Sequence, residues 1–242
     1  MIQHVSLQDF FHISSDRERQ GRKFRLSLYS ADTQVLIIAI PTRPHEMLHA
    51  YLDDDIFIAV IEMGLRDFKR VGSTTYSEMD ADGQMMSRGE GDSCRVPSSR
   101  EHAGDFPTLV IEAGYTQSWP SLIDKANWWF KASRYDVKIV LLVKMNQRAG
   151  RIDIEKWKGM PVPQPGATTR SRTQPEALQP TRVDSIRITR VPGTNPAVYN
   201  VTGPLQLEFV DLFLRQPLEG EHDVVLDIAD LQRYANGVWT GV

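Results

Sequence analysis

The spacing of hydrophobic and polar positions changes along the chain from a period of two to one near 3.6 and back. Phe24-Arg-Leu-Ser-Leu-Tyr29 alternates, Ala31-Asp32-Thr33 is a turn, and Val35 to Ile40 is apolar throughout, which predicts strand, turn and strand. Pro44 opens a helix in which Leu48, Leu52, Ile56, Ala59, Val60 and Met63 form one apolar stripe, and Gly64 ends it. Two extended segments are predicted next, near 68–76 and 92–96, with a glycine-rich turn over 83–91 between them. Leu109-Val-Ile111 and the run from Val137 to Val143 carry too many consecutive apolar residues for half-exposed strands, so both are expected at the centre of a sheet. Between them Ser118 and Pro120 start a helix with Leu122, Ala126, Trp129, Phe130 and Ser133 on one side. Residues 44–144 therefore read α-β-β-β-α-β. Further strands are expected near 183–191, 204–214 and 223–228, with a short helix over 228–234.

Residues 161–200 hold seven of the 14 prolines, with five arginines against two acids, and have no apolar period up to about Pro180. This divides the chain into an α/β core with an N-terminal β-hairpin (1–160), a flexible Pro/Arg-rich loop (161–182) and a β-rich extension packed on the core (183–242). A surface linker accounts for the loop most simply, and nucleic-acid contact is the alternative.

Length and composition remove several classes. Cys94 is the only cysteine, so no disulfide framework exists within the chain. The longest clean apolar run is six residues, Val35 to Ile40, against the ~20 needed for a membrane helix, so no membrane is expected as a partner. Met1-Ile2-Gln3-His4-Val5 has neither the basic start nor the apolar stretch of a secretory signal, and an intracellular setting, cytoplasmic or nuclear, is expected. The net charge of −3 argues against coating nucleic acid by bulk charge, though not against a local basic channel.

Glu112 is the position that needs a reason. It ends a core strand, where an unpaired carboxylate costs several kcal/mol and is normally ion-paired or bound to metal. Asp92 stands 20 residues earlier, at the start of the preceding extended segment. If the two strands are neighbours, both carboxylates reach one crevice, which is the oxygen set expected for Mg²⁺. The bland alternatives are an ordinary turn-to-strand aspartate and an ion-paired structural glutamate. Asp105 rivals Asp92, but Gly104-Asp105-Phe106-Pro107 reads as a loop.

This element order, with Gly91-Asp-Ser-Cys-Arg-Val-Pro97 and Thr108-Leu-Val-Ile-Glu-Ala-Gly114, resembles the PD-(D/E)XK superfamily of restriction-endonuclease-like nucleases. The stretch from Asp105 through Leu122-Ile-Asp-Lys-Ala-Asn-Trp-Trp129 to Leu142 also resembles a set of uncharacterised fungal proteins. The likeness covers roughly residues 40–160. It implies an αβββαβ core with a central mixed sheet flanked by helices, Asp92 and Glu112 as ligands of Mg²⁺ (or Mn²⁺), and metal-dependent hydrolysis of phosphodiesters in DNA or RNA. A homodimer is left open. The superfamily's lysine, two residues after the glutamate, is here replaced by Gly114. Some branches carry it on the following helix, where Lys125 stands; Lys138 and Lys144 are weaker substitutes, and a solvated helix lysine is the plain alternative. Without such a lysine the fold would be a non-catalytic module binding nucleic acid or protein.

His45-Glu-Met-Leu-His49 matches the H-E-x-x-H zinc-peptidase pattern. Pro44 puts it in a helix's first turn, and the sequence offers no third ligand, because Glu62 lies ~20 Å further along the helix. A helix start with Glu46 favoured by the dipole suffices, while His45 or Glu46 as an accessory metal ligand or phosphate contact fits the nuclease reading. Gln117 is a further accessory candidate at the strand exit, and Ser118 is expected to cap its helix. Arg95 and Arg100 either meet phosphate or offset nearby acids. Of Trp128 and Trp129, one is expected in the core and the other on a base or the C-terminal lobe. Cys94 with His102 as a thiol nucleophile has no supporting spacing, and a buried inert cysteine is the simpler assignment.

Overall fold

A computed structural model describes residues 1–21, 24–71, 74–100, 102, 104–162 and 177–240. The N-terminal part runs α1 (Leu7–Arg19), β1 (Arg25–Ser30), β2 (Val35–Ala39), α2 (Arg43–Glu62), β3 (Phe68–Arg70), β4 (Thr75–Met79) and β5 (Met85–Glu90). Then come β6 (Ser93–Pro97), β7 (Leu109–Gly114), α3 (Trp119–Ala132), β8 (Ile139–Asn146), β9 (Arg151–Pro161) and β10 (Leu178–Arg190). The chain closes with β11 (Tyr199–Val201), β12 (Leu205–Leu207), α4 (Phe209–Phe213), β13 (Val224–Leu226) and α5 (Ile228–Thr240).

A seven-stranded sheet ordered β11-β10-β9-β8-β7-β6-β3 forms the centre. Its pairs are antiparallel except β7 and β8, which run parallel and are joined through α3. The sheet is mixed and carries helices on both faces. Alternate residues explain how one apolar run serves both: Leu109, Ile111, Ala113, Ile139, Leu141 and Val143 pack with Leu48, Leu52, Ile56 and Val60 of α2 and with Leu231, Tyr234 and Val238 of α5. Val110, Val140 and Leu142 face Leu122, Ala126, Trp129 and Phe130 of α3. A second, antiparallel sheet, β2-β1-β5-β4, closes over its own core of Val5, Phe10, Leu26, Tyr29 and Leu36 beneath α1.

Several expectations change. The 68–76 segment is two strands in different sheets, β3 and β4. The glycine-rich turn over 83–91 is mostly strand β5, because Gly83 at φ +77 already makes the turn and Met85–Glu90 then pairs with both β1 and β4. The strand expected over 204–214 stops at Leu207, and Phe209–Phe213 is a helical turn. The last helix runs on to Thr240. The Pro/Arg-rich loop falls largely on residues 163–176, which lie outside the described residues, but Leu178–Arg182 at its end already belongs to β10. Residues 183–240 extend the same sheet and add helices, so this part is mixed rather than simply β-rich. No helix among the described residues is long and apolar enough to cross a membrane.

Candidate functional site

Gly91 and Asp92 form the step between the two sheets, leaving β5 in one and entering β6 in the other. The step is tight, since any side chain at Gly91 would run into Cys94 and Trp129. Ser93 pairs with Ile111 across the β6–β7 ladder, so the adjoining Asp92 comes beside the end of β7. One Asp92 oxygen accepts from the Ala113 backbone N–H at 2.8 Å, next to Glu112. The two carboxylates are buried at this strand end, and Asp92 adds to the field that raises Glu112.

Glu112 is satisfied on both oxygens. Lys125 Nζ donates to Oε2 at 2.6 Å and Trp129 Nε1 to Oε1 at 2.7 Å. Lys125 is 3% exposed, so the solvated-lysine alternative is overturned: one turn before Trp129 on α3, its ammonium reaches back to the strand end. At Gly114, where the resemblance calls for a lysine, α3 packs close to the strand. A Cβ there would lie 2.7 Å from Leu122, so α3 sits where that side chain would emerge.

Asp92 has a second set of partners. Arg25, at the start of β1, donates to Oδ1 at 2.7 Å and with its other terminal nitrogen spans both Glu46 oxygens at 3.0 Å. His45 Nε2 lies 3.3 Å from Asp92 Oδ2, and its Nδ1 3.4 Å from Glu46. His49, one turn further along α2, bonds through Nδ1 to Ser93 Oγ at 2.9 Å. The two histidines of the H-E-x-x-H pattern thus meet Asp92: one potential ligand atom each from His45, His49 and Asp92 lies within 4.8 Å of the others.

Electrostatics follow from burial and these contacts. Burial raises the Asp92 carboxyl, but the charge of Lys125 and the hydrogen bond from His45 outweigh it and hold Asp92 well below the usual carboxylate range. Burial pushes Glu112 up to about 7, with Lys125 opposing and Asp92 adding to the rise. Burial also works against the Lys125 ammonium, yet Glu112 and Asp92 keep its pKa above the ordinary lysine value. His45 titrates above an ordinary imidazole because Asp92 overcomes its burial, whereas burial dominates at His49 and lowers it.

Asp92 and Glu112 offer four carboxylate oxygens, the donor type a hard divalent ion takes, and each already accepts a hydrogen bond from within the chain. Arg25 and Lys125 supply the positive charge that such an ion would bring. The remaining candidates stand apart. Gln117 offers its backbone carbonyl to Lys144, and Lys138 donates to Tyr135. Asp105 accepts from His102 in a loop. Arg95 is bound to Asp53 rather than open to phosphate, and Arg100 to Phe106 and Asp136. Ser118 caps α3 as expected. Trp129 is the core residue of its pair, while Trp128 packs on β5 through Ser87 and Gly89 instead of on the C-terminal lobe. Cys94 is buried and His102 points to solvent, which leaves no thiol–imidazole pair. Arg25 and Ser93 carry no sequence signal; both join the site only through the step between the sheets.

No protein-family model matches the chain, and no curated protein matches its sequence.

Proposed function

We propose that the chain is a metal-dependent nuclease built on a restriction-endonuclease-like core. The observation that carries this reading is the meeting of Asp92, Glu112 and Lys125 at one strand end, where Lys125 reaches Glu112 at 2.6 Å and both acids share its field. The succession α2, β3, β6, β7, α3, β8 agrees with the αβββαβ order, with the β4–β5 hairpin as an insertion.

Asp92 and Glu112 would hold the divalent ion, which when bound supplies an acidified water and charge stabilisation at the phosphate. The chain's own groups do the rest. The Ala113 N–H fixes Asp92 Oδ2, Trp129 fixes Glu112 Oε1, and Lys125 keeps a positive charge beside the site for an anionic phosphate oxygen. His45, the more exposed of the two imidazoles, lies 3.3 Å from Asp92 Oδ2 and so helps to orient that carboxylate.

A second reading, a non-catalytic module for nucleic acid or protein, is favoured by Arg25. Its 2.7 Å bond to Asp92 and its fork onto Glu46 give the acids a built-in counter-ion. Incubation with single- and double-stranded DNA and RNA, with Mg²⁺ or Mn²⁺ and with chelator, separates the two. The nuclease cuts only with metal, whereas the module binds with salt-dependent affinity and leaves the strands intact.

A further inference from the structure

We infer that His45, His49 and Asp92 form a binding site for a divalent transition ion of the zinc class, distinct in its ligands from the carboxylate pair. The inference does not rest on nuclease activity. The two readings share Asp92 and differ in every other ligand.

Three observations carry it. The ligand atoms of the three residues already lie within 4.8 Å of one another, and His45 Nε2 is 3.3 Å from Asp92 Oδ2. Two ligands held at ~2.0–2.1 Å across a tetrahedral angle are roughly 3.3 Å apart, so this edge needs no adjustment. Second, His49 Nε2 is buried and has no hydrogen-bond partner, with Glu46 Oε1 3.4 Å away but out of hydrogen-bonding alignment. Buried ring nitrogens are almost always satisfied, and a metal bond would satisfy this one. Third, the opposite nitrogen of His49 is fixed by Ser93 at 2.9 Å, which sets the ring with Nε2 free for an ion, in the manner of the outer partners of metal-bound histidines.

The donor chemistry selects the ion. Two imidazoles and one carboxylate suit Zn²⁺ and its borderline neighbours, whereas Mg²⁺ takes oxygen. Spacing supports the assignment as well: His45 and His49 are i and i+4 in the first turns of α2, so both face the start of β6. Three protein ligands leave a fourth position open for water or an anionic group.

The test is titration of chelator-treated protein with ZnCl₂, followed calorimetrically, and with Co²⁺, whose visible spectrum reports tetrahedral nitrogen and oxygen ligation. The expected result is one tight Zn²⁺ per chain that excess Mg²⁺ does not displace. His49→Gln and His45→Gln should each weaken it by about tenfold or more, and Ser93→Ala by about 10–100-fold. Glu112→Gln should retain it, whether or not that variant cuts nucleic acid. Thermal melts establish that each variant is folded, and the partly exposed His45 supplies the test if the His49 variant is not. Absence of stoichiometric Zn²⁺ binding by the wild type overturns the inference. So does binding that both histidine variants leave unchanged, or that only Glu112→Gln removes.

Discussion

Glu112 and Lys125 are each almost wholly enclosed, and the energetics of the site follow from that. Breaking such a pair strands a charge, which typically costs about 3–5 kcal/mol, while replacing both members together is far cheaper. Lys125→Met should therefore lose about 3–5 kcal/mol in urea unfolding. Adding Glu112→Gln, which preserves an acceptor for Trp129, should recover part of the loss. A double variant no more stable than Lys125→Met alone would show that the pair is not coupled. Glu112 was legible in the residues themselves, and Lys125 only through the resemblance. Glu112 is conspicuous because it ends an apolar run, while nothing local sets Lys125 apart from a solvated helix lysine. Arg25 was not legible, since an arginine opening an alternating strand looks like any solvated edge residue; its role comes from a chain step between sheets that no local pattern encodes.

At the level of elements, helix α2 carries His45 and His49 at its start and an unusual acid further along. Asp55 lies toward α5 and is pushed up to about 6, first by burial, with Arg233 opposing and Asp230 and Asp54 adding to the rise. A carboxyl whose folded pKa exceeds the unfolded 3.8 lends stability that is fully present below that value and is lost as pH rises through about 6. After discounting for solvent screening, the wild type should lose about 1–2 kcal/mol relative to Asp55→Asn between about pH 4 and pH 7. Parallel stability curves for the two proteins would contradict this. Strands β7 and β8 follow from apolar runs and helices α2 and α3 from their stripes, whereas α1 and β9 are not among the expected elements. What periodicity does not reveal is β5, whose Met-Met-Ser-Arg-Gly-Glu has neither alternation nor branched residues and is strand because two neighbours pair with it. Nor does it reveal that Phe209–Phe213 turns helical after two strand-like residues.

The two larger of the three sheets among the described residues meet at Gly91–Asp92, and the candidate chemistry sits at that meeting. Trp128 helps hold the smaller sheet to the larger one: its ring covers Gly89 and its Nε1 donates to Ser87 at 2.8 Å. Trp128→Ala should cost about 3 kcal/mol. It should also speed amide hydrogen exchange in β1 and β5 well before it affects β7 and β8, and uniform loss of protection would contradict the joint. The alternation of buried residues makes the three-layer arrangement readable from sequence, but not which end of the sheet gathers charge, because that depends on contacts between distant residues such as Arg25 and Asp92, 67 positions apart.

The central claim is that Glu112 takes part in metal-dependent phosphodiester cleavage, and its most direct test is the cleavage rate of Glu112→Gln beside that of the wild type, both in Mg²⁺ on DNA and RNA. The account predicts cleavage by the wild type that chelator abolishes and a loss of about 100-fold or more in the folded variant. Cutting at the parental rate by Glu112→Gln, or no cutting by the wild type on any strand, would contradict it.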